Sequence, residues 1–172
     1  MNAAEYSVEE LLRDGSRIEI RALQPSDRDE LQSAVGRMSD ESLQRRFFAP
    51  KRYFSEHEID YYVNVDFVSH VALVAVLNVE GRAPIVGGGR YIVIQPGVAE
   101  VAFGIDDAYQ GRGLGGLLMK HLTAIARASA LRQLVAEVLP GNVAMLSVFK
   151  KAGLEMTTKK EGGVAQVMLH LS

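Results

Sequence analysis

The chain has 172 residues, 48% hydrophobic and 23% charged, which suits one domain with a buried core and leaves too little for two. A net charge of -2 and a pI of about 6.1 argue against a domain built to grip nucleic acid, which is usually clearly basic. The absence of cysteine excludes disulfides, zinc–cysteine sites and cysteine catalysis, and with no basic, apolar leader at the start the expected setting is cytoplasmic.

The expected organisation is an arm over residues 1–15 and a single domain over 16–172. The arm carries Glu5, Glu9, Glu10 and Asp14, and Ser7 with Glu10 has capping-box spacing, so a helical turn is predicted over 7–13. Residues 16–23 alternate Ile18, Ile20 and Ala22 with Arg17, Glu19 and Arg21, the pattern of a half-buried strand. Pro25, Ser26 and Asp27 open a helix running to about Arg37. A second helix starts at Ser39-Asp40-Glu41-Ser42, carries Leu43, Phe47 and Phe48, and stops at Pro50. A third covers 55–64, where Ser55 and Glu58 again have capping-box spacing. Arg45 and Arg46 read as a solvated helix face, the alternative being a hold on an acidic substrate surface. Phe47, Phe48, Tyr53, Phe54, Tyr61, Tyr62 and Phe67 read mostly as core.

From residue 68 the pattern changes to strands. The first covers 68–79; its run 71–79 is the best candidate for a membrane span, yet it is about half the length that needs and carries Asn78. Glu80-Gly81-Arg82 turns it into an antiparallel partner over 85–94, interrupted by Gly87-Gly88-Gly89. Pro96-Gly97 makes the next turn and 98–105 the next strand. A glycine-rich stretch over 111–116 leads into a helix whose Leu114, Leu117, Leu118, His121, Leu122 and Ile125 form one stripe. A strand over 131–139, a turn at Pro140-Gly141-Asn142, a helix ending at Gly153, and strands over 155–159 and 164–171 joined at Gly162-Gly163 complete the chain. This order predicts an α/β (α+β) fold: a mixed, mostly antiparallel central sheet flanked by helices, with one crossover after the glycine stretch.

Tyr109-Gln110-Gly111-Arg112-Gly113-Leu114-Gly115-Gly116 follows a strand and opens an amphipathic helix. Glycines let backbone N–H groups converge and the helix start adds positive partial charge, so the segment reads as a seat for a phosphate or pyrophosphate. Arg112 either adds a cation or is solvated. Gly111, Gly113 and Gly116 also satisfy a dinucleotide-binding spacing, with Glu137 about twenty residues further on. Context argues against that reading: Asp106 to Gln110 separate strand from glycines, hairpins join the preceding strands, and too little chain remains for further βαβ units. No Gly-Lys-Ser/Thr follows, which excludes a Walker A loop.

Read as Q-x-x-G-x-G on Gln110, Gly113 and Gly115, residues 100–115 resemble the acetyl-CoA core of GNAT-type N-acetyltransferases. Asn142, Phe149 and Lys151-Ala152-Gly153-Leu154 resemble the second half of that core, and the resemblance extends over 16–171. Leu12-Arg13-Asp14-Gly15, Ile20-Arg21-Ala22-Leu23, Met38-Ser39-Asp40-Glu41-Ser42 and Arg45-Arg46-Phe47-Phe48 are similar to the acetyltransferase domain of bacterial protein-lysine acetyltransferases, the Pat group. The resemblance implies a GNAT-like fold, acetyl-CoA as acyl donor without a metal, and a protein lysine as acceptor, such as one on an acyl-CoA synthetase. Neither nucleic acid nor a membrane is implied as partner. Larger members of the group join this domain to a nucleotide-binding or acyl-CoA-synthetase-like domain, for which 172 residues leave no room. The resemblance further implies that the backbone of Phe103, Gly104 and Ile105 grips the pantetheine arm where a neighbouring strand splays away. It implies that Gln110, Gly111, Arg112, Gly113, Leu114, Gly115 and Gly116 seat the pyrophosphate, and that Asn142 and Phe149 belong to the cofactor site. Many relatives carry tyrosine at the Phe149 position as general acid for the thiolate; phenylalanine has no proton to give.

Acetyl transfer to an amine needs the amine neutral, and a lysine ammonium has a pKa of about 10.4, so a base must take its proton. Glu100 is the candidate. It shares a strand face with Ala102 and Gly104, opposite Val101, Phe103 and Ile105, so its carboxylate stands where a substrate can approach. The alternative is a solvated strand carboxylate; the resemblance places a catalytic glutamate here. Glu80, Asp106 and Asp107 stand near turns and read as surface charges. Asn142 is an N-cap, a pantetheine contact, or both. His121 reads as a core or boundary residue, and His57, His70 and His170 show no metal spacing. Competing functions are a GNAT-type enzyme for a small amine, a non-enzymatic acyl-CoA sensor that keeps the glycine loop and, more distantly, a dinucleotide binder.

Overall fold

The computed structural model describes residues 2–38, 54–78, 83–139 and 141–171. The helix expected from Ser39, with Arg45, Arg46, Phe47 and Phe48, lies outside the described residues, as do Tyr53, the turn at 80–82 and Pro140.

The strands are β1 (Ser7–Leu11), β2 (Arg17–Ala22), β3 (His70–Leu77), β4 (Ile85–Gln95), β5 (Val98–Ile105), β6 (Gln133–Val138), β7 (Glu155–Glu161) and β8 (Val164–His170). They form one mostly antiparallel sheet in the order β1-β2-β3-β4-β5-β6-β8-β7. Among the described strands only β5 and β6 pair in parallel, and the crossover between them contains α3 (Leu114–Ala128). The other described helices are α1 (Arg28–Gly36), α2 (Glu56–Val63) and α4 (Val143–Lys151). Ser55 caps α2 as its spacing predicts: its hydroxyl accepts the Glu58 N–H at 3.2 Å, and the Glu58 carboxylate accepts the Ser55 N–H at 3.1 Å. No helix among the described residues is long and apolar enough to cross a membrane.

β3 is buried at every position but Leu77, as its unbroken Val-Ala-Leu run requires of a strand covered on both faces. Alternation then feeds two cores. Val71, Leu73 and Ala75, with Tyr91, Val101 and Phe103, pack against Leu114, Leu118 and Leu122 of α3. Ala72, Val74 and Val76 face the other way, against Val35, Met38, Ile59 and Val63 from α1, α2 and their flanks. Each fully buried leucine or isoleucine contributes about 1.5–3 kcal/mol, so the two cores fix both helical layers on the sheet.

Two expectations are corrected. The helical turn over 7–13 does not form; Ser7–Leu11 is the edge strand β1, paired with β2 from Ser7–Arg21 to Leu11–Arg17. Sheet pairing and the half-burial of Val8 outweigh the local capping pattern. Nor do the three glycines interrupt β4. Ladder pairs run through them on both sides, Gly87–Ile105 to Gly89–Phe103 with β5 and Leu73–Gly89 to Ala75–Gly87 with β3. A Cβ at Gly87 would approach Leu114 Cδ2 to 3.0 Å, and one at Gly89 would approach the Phe103 ring to 2.8 Å. These glycines let α3 and Phe103 lie close on the sheet.

Candidate active site

β5 and β6 pair only at Val98–Gln133, Ala99–Leu134 and Glu100–Val135. Past Glu100, β6 leaves β5, while β4 stays paired with β5 as far as Ile105. The Asp106 N–H donates to the Val86 carbonyl at 2.9 Å on the β4 side. Alternation along an antiparallel strand then turns the main-chain groups of Phe103 and Ile105 the other way, into the gap that β6 leaves.

A cleft of about 420 Å³ opens there. Phe103, Gly104 and Ile105 form one wall; Ala144, Ser147, Val148 and Lys151 of α4 form the other. The glycine stretch closes one end. Gly113 caps α3 at φ 88° and Gly111 has φ 76°, backbone conformations that favour glycine. Leu114, Gly115 and Gly116 make the first turn of α3 and line the cleft; N–H groups in that position have no intrahelical acceptor and offer themselves to an anion. A Cβ at Gly115 would meet Val148 Cγ2 at 3.1 Å, so this glycine also sets how closely α4 approaches. At Gly111 and Gly116 a Cβ would meet nothing within 4 Å. The arrangement suits a long ligand with an apolar arm along β5 and a negatively charged group at the helix start.

The remaining residues singled out in the sequence divide between the cleft wall and its supports. Gln110 lines the cleft and donates from Nε2 to the Ile105 carbonyl at 3.3 Å, tying the loop to the end of β5. Asn142 lines it too and is the N-cap of α4, its Oδ1 accepting the Met145 N–H at 3.3 Å. The Arg112 side chain turns aside to pair with Asp14 at 2.7 Å and lie over the Tyr109 ring. Phe149 is buried and packs edge-on against Phe103 at 6.2 Å, supporting the wall from behind. His121 is a buried, fully bonded histidine: Tyr6 Oη meets Nδ1, and Nε2 lies 2.8 Å from Glu10 Oε2.

On the opposite face of β5 lies a smaller cavity of about 80 Å³, walled mainly by Leu31, Val35, Phe54, Tyr62 and Ala102. Met38 and Gly104 line both spaces, and a Cβ on Gly104 would lie 3.5 Å from Met38 Cε. The two cavities therefore meet across a bare backbone position. Glu100 is exposed on this same face, in register with Ile92 of β4 and, one strand further, His70 of β3. It stands at the approach to the cavity and is not among the residues that wall it. Arg90, on the rim, donates to His70 Nε2 at 3.0 Å and to the Tyr62 carbonyl at 3.1 Å. Asp106, expected as a surface charge, is instead a largely covered cap: it accepts the Ala108 N–H at 3.0 Å and lies 3.6 Å from Arg37 Nε.

Sequence reasoning missed Arg13 and Met38 as cleft residues, because they arrive from the β1–β2 turn and the end of α1. It also missed the α4 wall, although Ala144, Ser147, Val148 and Lys151 stand at i, i+3, i+4 and i+7 and so share a helix face.

Known proteins resemble the chain in both sequence and shape. The profile described as "Acetyltransferase (GNAT) family" matches residues 39–154. Acetyltransferase PA5475 of Pseudomonas aeruginosa is 33% identical over 137 residues, 79% of this chain and 74% of that protein. Acetyltransferase Pat of Mycolicibacterium smegmatis is 30% identical over 146 residues, 83% of this chain; the match spans 42% of that protein. The crystal structure of the GNAT domain of S. lividans PAT superposes with a TM-score of 0.86 at 35% identity, covering 95% of this chain and 96% of that one.

Proposed function

Starting from the fact that the chain belongs to the acetyltransferase (GNAT) family and is an acetyl-CoA-dependent acyltransferase, we propose that its acceptor is a protein lysine, such as one on an acyl-CoA synthetase, and that Glu100 is the base. The observation that carries the lysine reading is the acceptor cavity. It is small, its described walls are mostly apolar, and Asp106 is the one carboxylate among its described lining residues. A single aliphatic lysine chain fits such walls, whereas a polyamine needs a carboxylate for each of its ammonium groups. The likeness of the whole domain to the GNAT domain of S. lividans PAT supports the resemblance to the Pat group from which this reading comes. A cytoplasmic setting suits a cysteine-free chain that uses acetyl-CoA.

In this reading acetyl-CoA supplies an activated acetyl carbonyl at Gly104, where the two cavities meet. The lysine amine comes from the acceptor cavity and the thioester from the cleft. An N–H of Phe103 or Ile105 donates to the carbonyl oxygen as it gains negative charge. Glu100 takes the ammonium proton. About 13 Å of strand separates its Cα from that of Gly104 at about 3.3 Å per residue, so the proton travels through water. Gln110, the glycine stretch from Gly111 to Gly116 and Asn142 hold the donor. Phe149 gives the departing thiolate no proton, which solvent supplies.

The test is mass spectrometry after incubation with acetyl-CoA and a set of folded acyl-CoA synthetases, each beside a peptide containing the same lysine and a panel of small amines. Transfer to a folded synthetase, faster than to its peptide, is the expected result. Strong transfer to a small amine and none to any protein would overturn the lysine reading.

A further inference from the structure

The cleft has a cation that the glycine motif does not contain. Arg112, the arginine inside the motif, is held by Asp14 at 2.7 Å and stacks over Tyr109 at 5.0 Å. Asp14 sits in the turn between β1 and β2, and its neighbour Arg13 lines the cleft. A Cβ on Gly113, the N-cap of α3, would stand 3.3 Å from Arg13 Nε. The guanidinium therefore lies beside the first turn of α3. No carboxylate is among the described residues that line the cleft with it.

This position is built rather than incidental. The Leu12 N–H donates to the Ser16 carbonyl at 2.9 Å and the Gly15 N–H to the Leu12 carbonyl at 3.0 Å, with Gly15 at φ 87°. Asp14 Oδ1 accepts the Ser16 N–H at 2.9 Å. The Arg13 N–H donates to the Arg112 carbonyl at 3.4 Å, which joins the turn directly to the glycine stretch. Behind it, Glu10 of β1 reaches Lys120 at 3.1 Å and His121 at 2.8 Å on the body of α3. The hairpin is thus tied to α3 at its start and along its length, and Arg13 is the residue this leaves free beside the helix start.

We propose that the β1–β2 turn is part of the acetyl-CoA site and that the Arg13 guanidinium binds the pyrophosphate of the donor. The proposal rests on the acetyl-CoA reading of the cleft. Helix-start N–H groups orient a phosphate but carry only partial charge, and a guanidinium adds a full charge and a forked pair of donors. Arg112 and Arg13 divide the work: the first fixes the turn through Asp14, and the second meets the ligand.

Calorimetric titration with CoA and with dephospho-CoA, which keeps the pyrophosphate and lacks the 3′-phosphate, tests it. Arg13→Gln should weaken both ligands equally, by about ten- to a hundredfold, the loss of one charge-assisted contact. Arg13→Lys should recover part of that loss, and the affinity of Arg13→Gln should fall less steeply with added salt than that of the wild type. The Arg13 side chain is exposed, so the melting temperature should not move. Unchanged affinity in Arg13→Gln, or a loss confined to CoA, would overturn the assignment; the latter would place Arg13 on the 3′-phosphate. If wild-type protein bound neither ligand, the acetyl-CoA reading of the cleft would itself fall.

Discussion

On one side of Gly104 a cleft of about 420 Å³ is formed by strand backbone, a run of glycines and a helix start; on the other, a cavity of about 80 Å³ is walled by side chains from α1, α2 and three strands. The first is suited to a ligand whose shape and charge never change. Backbone N–H groups at a helix start recognise a phosphate through their geometry, and that geometry demands glycine at fixed places, as Gly113 at φ 88° does. The second is suited to an acceptor recognised by volume and polarity. Many apolar sets fill the same space, so no single residue type is required there. The two sides also differ in how substitution acts: on the donor side through backbone conformation, on the acceptor side through size and proton transfer.

The sharpest test of that division is Glu100→Gln, which keeps the shape of the side chain and removes the proton acceptor. Turnover should fall by roughly a hundredfold to ten-thousandfold, while calorimetric affinity for CoA stays at the wild-type value. The deficit should shrink at high pH, where the amine loses its proton without help. Wild-type turnover at neutral pH would make Glu100 a surface carboxylate. A parallel fall in CoA affinity would break the separation of the two sides.

The same contrast explains what could be read from the chain. The alternation of β2, the Ser55–Glu58 box and the Gly113 loop are local patterns, and the structure forms each of them. The parallel pair β5–β6 followed from a crossover beginning at that loop. What escaped was non-local. Arg13 reaches Gly113 only because β1 pairs with β2, and Ser7 with Glu10 mimicked a helix start that this pairing overrides. Met38 meets Gly104 only once α1 is packed on the sheet. The glycines of β4 looked like a break because their reason, the close approach of Phe103 and Leu114, lies on other elements.

Each side also has its own ionic anchor, and these should differ in strength. Asp27, at the start of α1, makes a two-pronged pair with Arg21 of β2, both contacts 2.8 Å, and accepts the Gln24 N–H at 2.7 Å. Burial alone would raise the Asp27 pKa, but the Arg21 and Gln24 hydrogen bonds outweigh it and hold the carboxyl below its ordinary range. Asp27→Ala leaves Arg21 largely covered and unpaired, so it should cost about 3 kcal/mol of stability. A carboxyl with a lowered folded-state pKa stabilises fully above the ordinary carboxylate range, and that contribution disappears as pH falls through the lowered value. Chemical denaturation of wild type and variant should therefore differ at neutral pH and converge in acid. Because α1 carries Leu31 and Val35 of the acceptor wall, the acceptor KM should rise more than CoA affinity falls. The reverse order would show that α1 does not belong to the acceptor side alone.

The donor-side anchor should be the weaker one. Glu10 meets Lys120, whose side chain is 64% exposed, and His121, which is 6% exposed. An exposed lysine adds little, since water and salt compete for its charge. The histidine contact is covered. Its two ring nitrogens meet the Tyr6 hydroxyl and the Glu10 carboxylate, and an amide oxygen at position 10 can still accept a hydrogen bond from Nε2. Burial would raise the Glu10 pKa, but the His121 and Lys120 hydrogen bonds outweigh it and lower the pKa. The sign is thus the same as at Asp27: the contribution is present above the ordinary carboxylate range and lost in acid. Glu10→Gln should cost no more than about 1 kcal/mol, read as a small fall in melting temperature that vanishes at acid pH. CoA affinity should barely change, since the turn keeps its bonds from the Arg13 N–H to Arg112 and from Arg112 to Asp14. A loss as large as that at Asp27 would mean that Glu10 compensates a buried positive charge on His121, and that the two sides are anchored alike.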